Sequence, residues 1–237
     1  MTTDSARARK GLGGWTIALA AGLIGAAVGG GAVAYVSRES VRDYLLENPE
    51  VLPEAMDRLR EREAAKMVSA NRSALETPFG SAWAGAKDGD VVLVEFFDYA
   101  CGYCRKSNAD VDRLLREDPK LKVVWREWPV LGADSEAAAR ASLAAARAGR
   151  FKPFFDSLFA AGRPTPEALA RVRAGVAPGA ELPAAAADRE LAKNFQLARG
   201  IEATGTPTFV VGDRILQGAV GYEALRDAIK EARAKKA

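Results

Sequence analysis

The only cysteines of this 237-residue chain are Cys101 and Cys104, and the chain contains no histidine. Cysteines three positions apart at the start of a helix lie on one face, about 5 Å apart, within the Cα range that a disulfide requires. The first of them faces the unpaired N–H groups and the positive end of the helix dipole, which stabilise a thiolate. The spacing therefore predicts a redox pair in which Cys101 is the nucleophile and Cys104 resolves the mixed disulfide.

Other uses of two cysteines are limited by the residues that the chain lacks. A structural zinc site needs four Cys or His ligands, and a c-type haem site needs histidine where this chain has Arg105. A passive disulfide around two residues would remove little entropy from the unfolded chain. Redox catalysis without a metal or cofactor is the favoured hypothesis. The competing hypothesis is a binding protein, either a chaperone or a Cu(I) carrier that uses the same thiolates.

Glu95 is the one charged residue in the apolar run VVLVEFF, residues 91–97. A buried carboxylate without a partner is costly, or its pKa rises until the group is neutral. Because Glu95 lies six residues before Cys101, it is a candidate to carry a proton to and from Cys104. The alternative is a side chain at a strand end that reaches solvent.

Thr206 and Pro207 open the last apolar run, in the stretch ATGTPTF. Proline belongs at the start of a strand or in a cis bond at a tight turn. A cis proline here would leave the backbone of Thr206 free to pair with an extended peptide, next to the cysteines if the two strands are neighbours. The alternative is that Pro207 only marks an ordinary turn before the strand.

The segments around these residues predict an α/β domain. The run at 91–97 is typical of a strand buried on both faces, and LKVVWREW at 121–128 predicts a second strand. A helix over residues 104–117 separates them and ends before Pro119. The order strand, helix, strand indicates a parallel β-α-β unit, with the cysteines where the first strand stops.

The rest of the domain is predicted as a helical insert followed by a β-β-α half. Residues 134–202 are helical in pattern, with alanine-rich stretches separated by Gly and Pro. In TPTFVVGDRILQG, Gly212 and Asp213 divide two short strands as a hairpin turn would. A closing helix is predicted over residues 222–234.

The first 37 residues differ in kind from the rest. Basic residues near the start are followed by a charge-free stretch, and residues 15–36 would span about the 30 Å of a bilayer core. We interpret residues 1–37 as an inner-membrane anchor or a cleaved signal peptide, because Ala32-Val33-Ala34 also fits a cleavage site. Both place the bulk of the chain outside the cytoplasm, in the periplasm.

Residues 38–75 read as two amphipathic helices around a break at Asn48 and Pro49. Their apolar stripe has no core of its own, so it either packs on the main domain or associates with copies of itself through residues 40–70. The Gly-rich stretch at 77–90 is predicted to be a linker. Acidic and basic residues, 31 and 34 of them, are interspersed for a net charge of +3, so a nucleic-acid partner is not expected.

Three stretches together resemble the DsbA-type branch of the thioredoxin superfamily: VLVEFFDYACGYC, VVWREWPVLGADSEAAARASLAA and GTPTFVVGDRILQGAVGYEALRDAI. The likeness covers about residues 88–233, and a C-x-x-C pair combined with a distant Thr-Pro is more specific than either motif alone. In addition, VRDYLLENPEVLPEAMDRL is similar to the N-terminal segment of suppressor-of-copper-sensitivity C (ScsC) proteins.

This resemblance implies a thioredoxin fold over residues 76–237, with the helical insert between its two halves. For the site it implies a nucleophilic Cys101, a resolving Cys104, a buried acid at Glu95, and a cis Pro207 preceded by a substrate-contacting Thr206. The implied activity is periplasmic thiol-disulfide exchange on unfolded or misoxidised secreted proteins. A membrane redox partner would regenerate the pair.

The dipeptide between the cysteines, Gly102-Tyr103, is expected to contact the substrate and departs from the strongly oxidising DsbA pattern. With no histidine to stabilise the thiolate, we expect a Cys101 pKa near the upper end of the range of roughly 3.5 to 7, and a less oxidising disulfide. Arg105 favours the thiolate by its charge and Asp98 disfavours it. Isomerase and oxidase activity both stay open, and isomerases gain from holding several sites over one client.

Overall fold

The structure is a computed structural model that describes residues 40–236. The predicted export segment at 1–37, with its candidate span at 15–36, lies outside the described residues. Within residues 40–236, no helix is both long enough and apolar enough to cross a membrane.

The chain divides into two compact units, Met1–Arg58 and Leu59–Ala237. Helix α1 covers residues 40–47, and Asn48 ends it by donating from its backbone N–H and its side-chain amide to the carbonyl of Tyr44. Helix α2 covers Val51–Glu76. The predicted pair of helices around the break at Asn48 and Pro49 is therefore confirmed. Within its described part, residues 40–58, the first unit exposes five large apolar side chains: Val41, Tyr44, Leu46, Leu52 and Met56.

A five-stranded sheet in the order β1-β3-β2-β4-β5 forms the centre of the second unit. Its strands are β1 (Trp83–Gly85), β2 (Val91–Phe97), β3 (Leu121–Glu127), β4 (Thr208–Val211) and β5 (Arg214–Gln217). The central strands β2 and β3 are parallel, and the other pairs are antiparallel. The parallel unit and the hairpin around Gly212, which takes a left-handed φ of 59°, are as predicted.

The helices of the second unit complete a thioredoxin fold with an insert. They are α3 (Gly102–Glu117), α4 (Ala133–Arg147), α5 (Phe151–Ala160), α6 (Pro166–Val176), α7 (Ala184–Gly200) and α8 (Tyr222–Ala234). After β1, the chain order is β-α-β, four helices, then β-β-α. This order confirms the predicted fold class and the position of the insert.

Side chains of β2 alternate between the two faces of the sheet, as the period of a strand requires. Leu93 and Phe97 join a large core with α3, α5 and α8, whereas Val94 and Phe96 join a second core on the other face. The second core includes Val68 and Leu75 from the C-terminal part of α2 and Leu197 from α7. The end of α2 is therefore built into the unit that begins at Leu59.

The prediction of a linker over residues 77–90 is wrong. This stretch contains β1, which pairs antiparallel with β3 at the edge of the sheet, and Ala82 is fully buried. Gly85 has a φ of 87° and lies so close to the carbonyl of Leu121 that a Cβ would clash. The glycines that suggested a flexible linker serve close packing instead, so the sequence pattern was misread.

Candidate redox site

Cys101 is the N-cap residue of α3, in the loop that follows the end of β2. Its backbone is extended, with φ −78° and ψ 117°, and its carbonyl accepts the N–H of Arg105 at 3.2 Å. Cys101 keeps 6% of its surface exposed, whereas Gly102 and Tyr103 beside it are exposed and Cys104 is fully buried. Both cysteines are free thiols. The outer sulfur is thus reachable beside an exposed dipeptide, and the inner one is covered.

Hydrogen bonds stabilise the thiolate of Cys101. The interaction with the Cys104 thiol, helped by the side chain of Thr206 and by backbone N–H groups of the first turn, lowers the pKa of Cys101 to about 5 despite partial burial. The N–H of Cys104 lies 3.4 Å from the Cys101 sulfur. This pKa is lower than the missing histidine led us to expect, because neighbouring thiol and amide donors take the place of an imidazole.

Cys104 has the opposite character. Burial raises its pKa far above the ordinary thiol value, and the charges of Glu95 and Cys101 raise it further. A thiol of this kind stays protonated until a nearby base accepts its proton. The two cysteines, three positions apart, therefore differ strongly in pKa: Cys101 is stable as a thiolate and Cys104 as a buried thiol. A nucleophile and a resolving thiol need this difference.

The Thr206–Pro207 peptide bond is cis and immediately precedes β4. Because β4 pairs antiparallel with β2, with Thr208 opposite Phe96, the start of β4 lies beside the end of β2. The Cys101 sulfur is 3.2 Å from the carbonyl oxygen of Thr206, which accepts from the Cys101 thiol when that thiol is protonated. Two residues that are 105 positions apart in the chain are thus brought into direct contact.

Glu95 lies in the middle of β2 and is fully buried, so it does not reach solvent. The indole N–H of Trp125 donates to one of its carboxyl oxygens at 2.9 Å. The other oxygen, Oε1, is buried without a hydrogen-bond partner. Burial raises the pKa of Glu95 to about 8, so the carboxyl gains and loses its proton near neutral pH.

Asp98 is a site residue whose role the sequence reasoning missed. Its buried carboxylate accepts from the N–H of Ala100, from the N–H groups of Val130 and Leu131, and from the Ser135 hydroxyl, at 2.7 to 3.0 Å. Its carbonyl accepts the N–H of Cys101 at 3.0 Å. An acidic residue directly after a buried strand was the available signal, but three of its four side-chain partners come from a segment more than 30 positions away.

Two further expectations about the site can be compared with the structure. Arg105, expected to favour the thiolate, directs its side chain to the carbonyl of Phe159 at 3.3 Å. Among residues 40–236, no group of three His, Cys, Asp or Glu side chains could hold a metal ion. Soft ligands at the site are limited to the two thiols.

Fold and geometry together define a thioredoxin-fold oxidoreductase with a dithiol at the start of a helix. Residues 92–230, more than half of the chain, match the family model of the DSBA-like thioredoxin domain, and residues 38–66 match the copper resistance protein ScsC N-terminal domain. The chain therefore belongs to the DsbA-like family and carries a ScsC-type N-terminal segment. The resemblance noted in the sequence is confirmed.

Solved structures of similar proteins agree with this assignment. A thioredoxin-like oxidoreductase from Silicibacter pomeroyi is 36% identical, with a TM-score of 0.64, over 70% of this chain and 99% of that one. A linker-deletion mutant of ScsC from Proteus mirabilis is 30% identical, with a TM-score of 0.70, over 84% and 93%. A periplasmic thioredoxin-like protein from Salmonella enterica is 28% identical, with a TM-score of 0.64, over 69% and 95%.

Curated relatives match through part of their length. The Na(+)/H(+) antiporter NhaA 1 of Salinispora arenicola is 31% identical over 160 residues, which cover 62% of this chain and 24% of the relative. The chain thus spans about a quarter of the length of the curated relatives it matches.

Proposed function

We propose that this chain exchanges disulfide bonds with exported proteins, with Cys101 as the nucleophile and Cys104 as the resolving thiol. The observation that carries the proposal is the contact of the Cys101 sulfur with the Thr206 carbonyl, 3.2 Å away, beside a fully buried Cys104. A nucleophilic cysteine that keeps 6% of its surface exposed lies next to backbone that can pair with an extended peptide.

The reaction is two exchanges of sulfur–sulfur bonds. The Cys101 thiolate attacks a client disulfide, a bond forms between Cys101 and one client sulfur, and the other client sulfur leaves as a thiolate. Cys104 then loses its proton to ionised Glu95 and attacks Cys101, so the client departs as a dithiol and the enzyme keeps the disulfide. In the reverse direction, a client thiolate attacks Cys101, and protonated Glu95 returns a proton to the departing Cys104 thiolate.

Client polypeptides dock as extended segments along Thr206 and Pro207, with Gly102 and Tyr103 facing the client. The dithiol itself carries the electrons, so the exchange needs no cofactor. A pKa of about 5 favours the reduced pair and makes the disulfide more oxidising than the dipeptide suggested. The exchange therefore serves oxidation or isomerisation of unfolded and misoxidised secreted proteins, and a membrane redox partner regenerates the pair.

The proposed location is the periplasm, with residues 15–36 as the tether or residues 1–37 as a cleaved leader. The similar protein from Salmonella enterica is described as periplasmic. Together with the charge-free N-terminal stretch, that description supports export of this chain. We further propose residues 38–75 as the oligomerisation segment and 76–237 as the catalytic domain, with Val68 and Leu75 at the end of the segment contributing to a core of that domain.

Association through residues 40–70 is supported by the exposed apolar side chains of this region, among them Leu46 at 63%, Leu52 at 51% and Met56 at 54% exposure. A variant with glutamate at these three positions should lower the molar mass in sedimentation equilibrium and keep the helical content of the wild type. Truncation at residue 76 is a poor test, because it removes Val68 and Leu75 from a core. Equal masses of variant and wild type would contradict the proposal.

Refolding of scrambled ribonuclease tests the function directly. The wild type should restore ribonuclease activity, and Cys104→Ala should accumulate mixed disulfides with the client. The thiolate absorbance of Cys101 should titrate with a midpoint near pH 5. If the wild type fails to catalyse refolding yet binds one Cu(I) per chain tightly, the binding-protein hypothesis replaces the proposal.

A further inference from the structure

Large apolar side chains are exposed at few places in the described part of the second unit. They are Leu59 at its start and, further along the chain, Tyr103, Val130, Leu131 and Phe195. Apart from Leu59, they lie on three segments: the start of α3 beside Cys101, the loop after β3, and α7. Exposed apolar side chains gathered in one area mark an interaction surface rather than random exposure.

Asp98 connects two of these side chains to the nucleophile. The N–H groups of Val130 and Leu131 donate to its Oδ2 at 2.8 and 3.0 Å, and its carbonyl accepts the N–H of Cys101 at 3.0 Å. The loop after β3 and the loop that carries Cys101 are thus held by one buried residue. Val130 and Leu131, 43% and 54% exposed, stand at the edge of the site.

The apolar groove continues from Val130 to α7. Its volume is about 380 Å³, and its lining residues are Trp128, Val130, Phe195, Gln196, Arg199 and Ala203. The rings of Trp128 and Phe195 meet edge to face, with centroids 6.4 Å apart. Trp128 is supported from below by Phe96 of the second core, 6.2 Å away. The groove therefore has a rigid aromatic wall.

Two of the chain segments that line the groove lead to residues of the redox site. Val130 is held by Asp98 beside the loop of Cys101, and Ala203 lies three residues before Thr206, whose carbonyl contacts the Cys101 sulfur. A polypeptide joined to Cys101 is thus next to the two segments that lead into the groove. Its volume suits one large side chain with part of the adjoining backbone.

We propose that this groove, lined by Trp128, Val130 and Phe195, binds a large apolar side chain, foremost an aromatic one, of the client segment attached to Cys101. The proposal rests on the proposed function. Unfolded polypeptides expose such side chains and folded ones bury them, so the groove directs exchange toward cysteines in unfolded segments. An aromatic wall favours an aromatic occupant through edge-to-face contact.

Two synthetic peptides provide the test. Each carries one cysteine as a mixed disulfide with glutathione, and they differ in having Phe or Ser at the same position a few residues from that cysteine. The wild type should react about tenfold faster with the Phe peptide, the gain from burying part of one large apolar side chain. Phe195→Ser should abolish this preference, and Phe195→Leu should retain most of it.

Arg171→Ser is the matched control, because Arg171 is an exposed residue of another helix, α6. It should keep the full preference. All four proteins should react equally with oxidised glutathione, which is too small to reach the groove. Failure of the wild type with oxidised glutathione would count against the proposed function itself. Normal exchange with glutathione but no preference for the Phe peptide would overturn only the proposal about the groove. The same conclusion would follow if Phe195→Ser changed self-association and left the peptide preference intact.

Discussion

Two buried polar regions lie along β2 and β3, and they differ in how completely their polar atoms are paired. In the region of the redox pair, Glu95 has one hydrogen bond, from Trp125, and its Oε1 has none. At the C-terminal end of β3, Arg126 is 1% exposed and donates to three backbone carbonyls at the end of α2, to Glu190 and to Asn194. One region retains an acid with one unpaired oxygen, and in the other every N–H group of the arginine has a partner.

The β3 end contains a second network that reaches the redox loop. The hydroxyl of Tyr99 donates to Ser142 at 2.8 Å, and Ser142 donates to the carboxyl of Glu127 at 2.9 Å. All three residues are buried, and burial raises the pKa of Glu127 to about 7. Asn194 donates to the backbone carbonyl of Glu127 and links this network to Arg126.

The difference in hydrogen bonding indicates that the region of Arg126 stabilises the fold and that the region of Glu95 takes part in the reaction. Buried polar groups are normally hydrogen-bonded, so a saturated network such as that of Arg126 fixes how elements pack. An unpaired buried acid beside a buried thiol is free to gain and lose a proton during exchange. We therefore expect substitutions at the β3 end to change stability, and substitutions around Glu95 to change reaction rates.

The largest effect is expected at the cysteines. Cys101→Ser should reduce disulfide exchange to the uncatalysed rate, because no other thiol of the chain is exposed to the client. Cys104→Ser should still form mixed disulfides but fail to resolve them. Mass spectrometry of quenched reactions with a reduced and an oxidised client measures both. Resolved turnover by Cys104→Ser would contradict the assigned roles.

Arg126→Met should lower the free energy of unfolding by about 3 to 5 kcal/mol, because it removes the shorter of the two ion pairs of Glu190 and leaves the backbone carbonyls at the end of α2 without their donor. The pH midpoint of the Cys101 thiolate should stay that of the wild type in the folded protein. Urea denaturation measures the free energy of unfolding, and absorbance titration measures the midpoint of the Cys101 thiolate. Arg113→Met, on the exposed face of α3, is the control and should unfold like the wild type. A shifted thiol midpoint would show that the two regions are not separable.

Glu95→Gln should slow the resolution step about a hundredfold, the low end of general acid–base effects, because the amide cannot accept the proton of Cys104. Stopped-flow tryptophan fluorescence of single turnovers would measure this rate. An unchanged rate would mean that solvent serves as the base.

The same variant tests the pKa of Glu95. A carboxyl whose pKa is raised by folding, here from 4.5 to about 8, stabilises the fold below pH 4.5, and this stabilisation is lost as pH rises through 8. The wild type should therefore lose stability relative to Glu95→Gln between pH 5 and 9, by at most about 4 kcal/mol. Taking the difference between the two proteins cancels the titration of all other groups.

The smallest effect is expected at Ser142. Ser142→Ala should cost about 1 to 2 kcal/mol, because it leaves buried Tyr99 and Glu127 without their shared partner. Ser107→Ala is the matched control: its hydroxyl is equally buried but has no partner, so its removal should cost nothing. Thermal unfolding of the two variants compares the loss of a paired hydroxyl with the loss of an unpaired one. An equal loss of stability in both variants would contradict the expected difference between them.

Patterns local in sequence predicted most of the fold. The apolar run of β2, the amphipathic helices and the hairpin at Gly212 were all found, because each depends on periodicity and turn residues within a few positions. Strand β1 was missed because only three residues form it and its glycines resemble those of a linker. Its identity depends on β3, about 40 positions away.

The sequence alone determined which residues could carry redox chemistry. Two cysteines at helix-turn spacing, no histidine and one acid in an apolar strand indicate a single dithiol and a candidate proton carrier. Only the tertiary structure decided the environment of each residue. It brought Thr206 to Cys101, tied Asp98 to the loop after β3, and left one oxygen of Glu95 unpaired. Such contacts join distant segments, and the pKa of a group depends on what surrounds it in space.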